Sequence, residues 1–208
     1  VKGSVLSDLS HTSGRIFVVV GPSGSGKDTL INWLREQLTD KQKYMFVRRS
    51  VTRSPDGQTE DHDTLTIEQF DRAKEQGKFA VTWQAHGLSY GIPIGVLAHV
   101  KAGGIAIANG SRRALADMQK QFPNMIVINL RVDRAVLASR LAGRGREDAE
   151  QIKKRLDRMD MPLAGNLTVY DIENSGPIEK AGRSFMDVLA DLESVRLEGH
   201  RENLARNA

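Results

Sequence analysis

Ile16-Phe17-Val18-Val19-Val20 runs without a break into Gly21-Pro22-Ser23-Gly24-Ser25-Gly26-Lys27-Asp28, and this junction decides the fold. The first five residues have no polar face, the pattern of a parallel strand buried on both sides. The residues from Gly21 to Lys27 fit G-x-x-x-x-G-K, and behind them Leu30, Ile31, Trp33, Leu34 and Leu38 fall at helical spacing. Strand, glycine loop and amphipathic helix, in that order, form the setting in which this motif binds phosphate. Glycines let consecutive N–H groups turn inward onto phosphate oxygens, and the helix adds the positive end of its dipole. Gly21, Pro22, Ser23, Gly24, Ser25 and Gly26 are therefore expected to cradle the phosphates of ATP, with Lys27 reaching the β- and γ-phosphates. A glycine turn that merely joins strand to helix is the plain alternative, and the strand, the spacing and the lysine together weigh against it.

The position after the lysine departs from the pattern. Asp28 stands where Ser or Thr ordinarily ligates magnesium, and Thr29 comes one place later. A carboxylate there either binds Mg²⁺ directly, the ion being hard and oxygen-seeking, or serves as the first-turn acid that favours a helix N-terminus. The magnesium role is preferred, with Asp28 and Thr29 as candidate ligands.

Outward from this junction, further strands are expected over 44–47, 79–83, 104–108, 125–132 and 167–172, each rich in β-branched or aromatic residues. Helical periodicity marks 67–76, 94–101, 112–121, 134–142, 149–159 and 178–192, with Gly103, Pro123 and Pro162 as stops. Alternation of this kind implies an α/β fold with a mostly parallel sheet. Residues 1–13 and those from 195 onward are polar and aperiodic, and are expected to be flexible tails.

Composition narrows the function. Hydrophobic residues make up 39% and charged residues 27% of the 208, near globular averages, and no apolar run approaches the roughly 18 residues a membrane span needs. Behind Lys2 there is neither a continuous apolar stretch nor a small-residue cleavage site, so the expected compartment is the cytoplasm. Without cysteine there are no disulfides, thiolate ligands or thiol nucleophiles, and the five histidines have no metal-ligand spacing. The net charge is +4, yet the basic residues form no long run and only 5% of residues are aromatic, so neither nucleic acid nor membrane is an expected partner. Of the 30 basic residues 11 are lysine and the other 19 arginine. A planar fork of donors suits phosphate oxygens better than a point charge, so the bias suits a chain that handles several phosphates.

Three further motifs carry a family resemblance over residues 14–192. Val51-Thr52-Arg53-Ser54-Pro55, Tyr90-Gly91 and Arg140-Leu-Ala-Gly-Arg144-Gly-Arg146 resemble, in turn, the T-T-R-x-P acceptor motif, the Y-Y-G and the R-L-x-x-R-G lid of the guanylate-kinase branch of the nucleoside-monophosphate kinases. The resemblance implies a three-layer P-loop kinase with a parallel five-stranded core sheet. It also implies a single domain over 14–194, a small acceptor-binding insertion at about 48–101 and a lid at about 142–150. The parts of that family that read guanine do not match. Asp56 stands at its second phosphate-binding arginine, Thr82 at its glutamate before Trp83, and Asn109 at its D-x-D. A site lacking the partners of a base loses discrimination for it by orders of magnitude. These departures, with Asn109-Gly110-Ser111-Arg112 and the Lys27-Asp28 pair, resemble a narrower branch, the ribose 1,5-bisphosphate phosphokinases of bacterial phosphonate breakdown. That likeness implies a phosphosugar substrate, ribose 1,5-bisphosphate, converted by ATP to 5-phosphoribosyl 1-diphosphate. The rivals are a guanylate kinase and a non-enzymatic interaction module of the same fold, and the intact loop argues against the module.

Arg53 stands at a loop entry where it can reach an acceptor phosphate, helped by Arg49 and Tyr90. Arg112, Asn109 and Ser111 follow a strand at the sheet edge where ligands bind in open α/β folds, and are expected at the acceptor. Arg140 and Arg144 flank glycines that permit hinging, so with Lys27 they are the expected catalytic groups, closing over ATP; Arg155 lies one helix further on and is a candidate acceptor ligand. Asn174, after the last strand, is expected near the adenine by fold analogy. Phe70, Phe79 and Trp83 are expected in the core. Oligomeric state has no sequence signal.

Overall fold

The computed structural model describes residues 14–52, 62–85, 87–143, 145 and 148–206, with side chains as far as residue 194. The buried run is strand β1 (Arg15–Val20), and the glycine loop after it opens into helix α1 (Lys27–Gln37). The chain continues through β2 (Tyr44–Phe46), β3 (Arg49–Val51), β4 (His62–Thr64), α2 (Ile67–Glu75), β5 (Phe79–Ala85), β6 (Leu88–Pro93) and α3 (Gly95–Lys101). After β7 (Ile105–Asn109), a 3-10 turn over Arg112–Ala114 leads into α4 (Leu115–Gln121), and then come β8 (Ile126–Arg131), α5 (Arg134–Ala142), α6 (Ala149–Leu156), β9 (Thr168–Glu173) and α7 (Ile178–Arg206).

Five strands make one parallel sheet in the order β2-β7-β1-β8-β9. Successive strand residues point to opposite faces, and both faces of this sheet are apolar. Phe17, Val19, Ile105, Ile107, Ile126, Ile128 and Leu130 pack on one side against Leu30 and Leu34 of α1 and Phe185 and Leu189 of α7. Ile16, Val18, Val20, Ala106, Ala108 and Val127 pack on the other against Val96 of α3, Leu115 and Met118 of α4, and Val81, Trp83 and Ile92 of a second sheet. The result is three layers, with β1 at the centre. The chain passes to β2 and β7 on one side of β1 and to β8 and β9 on the other. The C-terminal end of β1, where the glycine loop begins, is thus the point where strand order reverses and ligands bind.

The second sheet has the order β4-β3-β6-β5. Only β5 was expected among its strands. β3 and β4 are three residues each, too short and too polar to show alternation, and β6 carries Gly91 and Pro93, so these strands exist through pairing across the sheet rather than through local pattern. At the other end of the chain, the helix expected over 178–192 continues to Arg206. Phe70 and Trp83 are buried and Phe79 stacks on Phe70, as core residues do.

Candidate active site

The loop after β1 is held by its glycines. Gly24 and Gly26 have φ of 89° and 87°, in the left-handed region that side chains disfavour. A Cβ on Gly24 would lie 2.9 Å from Leu141 Cδ2, and one on Gly26 would lie 2.7 Å from Asn174 Nδ2. The loop therefore sits hard against α5 and against the turn that follows β9. Asn174 is buried there, and its Nδ2 donates to the Ser25 carbonyl at 2.7 Å while its backbone carbonyl accepts from Arg140 Nη1 at 2.8 Å. Two residues expected to face the nucleotide, Asn174 and Arg140, thus join each other and brace the loop from behind.

At the front, Lys27 Nζ donates to the carbonyls of Pro22 at 3.0 Å and Gly21 at 3.2 Å, so its ammonium lies along the loop. Ser25 N donates to the Pro22 carbonyl at 3.1 Å, while Ser25 Oγ is buried with no hydrogen-bond partner. Ser23 is exposed at the tip and accepts a hydrogen bond from Arg155 Nη1, which brings the guanidinium of α6 to the mouth of the loop.

Asp28 begins α1 and Asn109 ends β7, the strand beside β1. Asn109 Nδ2 donates to Asp28 Oδ1 at 2.6 Å, so the two candidates form one unit, with one carboxylate oxygen fixed by an amide. Thr29 is exposed. On the second sheet the Arg49 guanidinium lies over the Tyr90 ring at 5.5 Å from its centroid. Tyr90 in turn stacks on Trp83 at 5.3 Å and 9°. Arg112 points elsewhere: Nη1 donates to the carbonyls of Met159 at 2.7 Å, Met161 at 3.3 Å and Arg158 at 3.4 Å, just beyond α6. Burial, and then the nearby Arg131 cation, push its pKa below the usual arginine range, with Asp160 opposing. Ser111 stands half-buried between Arg112 and β7. Arg53 and Arg144 lie outside the described residues.

Sequence reasoning missed Leu137 and Leu141, whose side chains form the wall against Gly24; their helical spacing was visible but not their target. It also missed His62, an isolated histidine with no motif around it. Among the described residues no three His, Asp or Glu side chains gather as a metal cage, and no helix is long and apolar enough to cross a membrane.

A phosphate loop at the end of a central parallel strand, a lysine folded across it, a carboxylate held at its rim and an arginine brought to its tip define a P-loop phosphotransferase. The sequence model of the guanylate kinase family matches residues 13–188. The ribose 1,5-bisphosphate phosphokinase of Agrobacterium fabrum is 45% identical over 174 residues, 84% of this chain and 95% of that protein. The protein of the same name from Rhizobium etli is 42% identical over 179 residues, 86% of this chain and 91% of its own. The solved guanylate kinase of Anaplasma phagocytophilum superposes with a TM-score of 0.65 over 88% of each chain at 19% identity, a likeness of fold. The chain belongs to the guanylate kinase family, in the branch whose members are named ribose 1,5-bisphosphate phosphokinases.

Proposed function

We propose that the chain transfers the γ-phosphoryl group of Mg·ATP to the 1-phosphate of ribose 1,5-bisphosphate, giving ADP and 5-phosphoribosyl 1-diphosphate. The donor half is supported by the glycine loop braced against Asn174 with Lys27 across it. The acceptor is supported by the relatives of that name, at 42–45% identity over more than four fifths of the chain.

An acceptor phosphate is already largely ionised at neutral pH, its second pKa being about 6, so it attacks without a general base. What remains is to hold two polyanions in line and neutralise the charge that spreads over the transferring group. Lys27 exchanges the carbonyls of Gly21 and Pro22 for the β- and γ-phosphates, a short swing because those carbonyls belong to the loop itself. Arg155, at the loop tip through Ser23, and Arg144 of the lid supply further positive charge, while Arg140 keeps the loop in shape through Asn174. In this reading Arg53 binds the acceptor phosphate, and Asn109 and Ser111, at and just beyond the end of β7, bind the sugar.

The fold family implies magnesium, and the residues fit it. Mg²⁺ takes one or two carboxylates together with phosphate oxygens and water rather than a protein cage. Asp28, with one oxygen tied to Asn109, is the residue that would hold it, and Thr29 is exposed beside it. When bound, the ion supplies a positive charge that screens the β- and γ-phosphates.

The test is a panel of acceptors at fixed Mg·ATP, following ADP release. The expected result is a kcat/KM for ribose 1,5-bisphosphate at least about a hundredfold above that for GMP, the scale of discrimination set by missing polar partners. Preference for GMP would defeat the acceptor assignment.

A further inference from the structure

The acceptor proposed above carries two phosphates, and only one of them reacts. The other needs its own site, on the wall of the acceptor region that a nucleobase would otherwise meet. The inner face of the second sheet offers one.

Residues paired across a sheet share a face, as do alternate residues of a strand. Val81 pairs with Ile92, Trp83 with Tyr90, Tyr90 with Val51, and Arg49 with His62. Val51 and Arg49 alternate along β3, as Tyr90 and Ile92 do along β6, so all seven share one face. That face is turned toward the parallel sheet, since Val81, Trp83 and Ile92 pack with the core strands. It is apolar or aromatic over most of its extent. Arg49 and His62 are the basic residues on it among the described residues, side by side at Cα register on neighbouring strands.

Both are set up to meet an anion. Arg49 is only 8% exposed and its guanidinium lies on the Tyr90 ring, which is itself stacked on Trp83. The ring contact holds the guanidinium on this face, and its planar fork of donors is the geometry that suits phosphate oxygens. His62 Nδ1 is buried with no hydrogen-bond partner. A buried ring nitrogen left unsatisfied destabilises the folded chain unless something completes it. With its proton on Nδ1, the imidazole donates to a phosphate oxygen beside the one taken by Arg49.

We propose that Arg49 and His62 bind the non-reacting phosphate of the acceptor and so select a pentose bisphosphate over an acceptor with one phosphate. The proposal rests on ribose 1,5-bisphosphate being the acceptor. A free phosphate would meet the same two side chains, so the assay must separate a substrate subsite from a general anion site.

Steady-state kinetics with ribose 1,5-bisphosphate and with ribose 1-phosphate, which lacks the distal group, make that separation. In the wild type the bisphosphate is expected to have the lower KM. Arg49→Ala and His62→Ala are each expected to raise the KM for the bisphosphate about ten- to a hundredfold, the scale of a hydrogen bond to a charged group. The KM values for ribose 1-phosphate and ATP should hold, a split that a merely misfolded variant would not give. Arg49→Lys and His62→Asn, which keep the charge and a donor near the Nδ1 position, should recover part of the loss. Equal weakening of both acceptors, or no change in either, would overturn the subsite while leaving the bisphosphate kinase standing. A wild-type protein that ignores the bisphosphate and phosphorylates GMP would overturn the acceptor reading, and the subsite with it. Inorganic phosphate that inhibits against ATP instead of the bisphosphate would also overturn it, because the anion would then be at the donor site.

Discussion

Lys27 and Asn109 do different work within a few ångströms of the same loop. The Lys27 ammonium rests on two loop carbonyls, and in the proposed reaction it leaves them for phosphate, so its removal would take positive charge from the transferring group without opening a cavity in the core. Lys27→Ala is expected to lower kcat at least about a hundredfold, the scale of one lost electrostatic stabiliser, with the far-ultraviolet circular dichroism unchanged. Full turnover in that variant would remove the lysine from the mechanism. Asn109 acts one step back, through its 2.6 Å bond to Asp28. Truncating a residue that orients a metal-binding carboxylate commonly costs about ten- to a hundredfold in metal affinity. Asn109→Ala should therefore weaken ATP binding when Mg²⁺ is present and leave metal-free ATP binding as it was. Titration calorimetry with and without a chelator reads both values, and equal loss in the two would mean that Asn109 touches the nucleotide or the fold instead.

The loop depends on an element that lies far away in sequence. Leu137 and Leu141 of α5 are fully buried and close on Gly24, while the buried Asn174 closes on Gly26. α5 also carries Arg140, whose bond to the Asn174 carbonyl ties that helix to the turn after β9. Movement of α5 would thus reach the loop amides proposed to bind phosphate, through packing and one hydrogen bond. Gly24→Ala adds a Cβ 2.9 Å from Leu141 Cδ2 at a φ of 89°, so it both strains the backbone and pushes the loop off the helix. Mg·ATP affinity is expected to fall by more than about tenfold, along with a loss of roughly 1–3 kcal/mol in stability for the strained overpacked position. Chemical denaturation measured beside nucleotide titration checks the pair. Normal affinity in a stable variant would show that the loop does not need this wall.

At the scale of the molecule, what could be read from the sequence was what is local. β1, the glycine loop and α1 are contiguous and their pattern is intact from Ile16 to Leu38, so the central strand and the parallel sheet followed from one segment, and the phosphate site is proposed at the loop between them. The second sheet did not follow, because Arg49–Val51 and His62–Thr64 are three residues long and take their register from partners elsewhere. The site shows the same divide. Asp28 was singled out by its place after the motif lysine and Asn109 by the resemblance and its place at a strand end, but 81 residues separate them and no pattern joins a helix start to a strand end. Asn174 was placed beside the nucleotide, and only the fold reveals its grip on Ser25. Arg112 follows a strand end as an acceptor ligand would, yet its Nη1 goes to three carbonyls beyond α6, a contact set by how that segment crosses the sheet. His62 had no motif to mark it, and only its pairing with Arg49 gives it meaning.

The claim beneath all of this is that one cleft passes a phosphoryl group from ATP to a sugar phosphate. Phosphorus-31 resonance of the wild-type protein with Mg·ATP and ribose 1,5-bisphosphate follows both reactants and the product in a single sample. The account predicts loss of the γ-phosphate signal of ATP in step with the 1-phosphate signal, and growth of a sugar diphosphate with the 5-phosphate unchanged. A γ-phosphate that goes only to water or to added GMP, with the 1-phosphate signal intact, would contradict it.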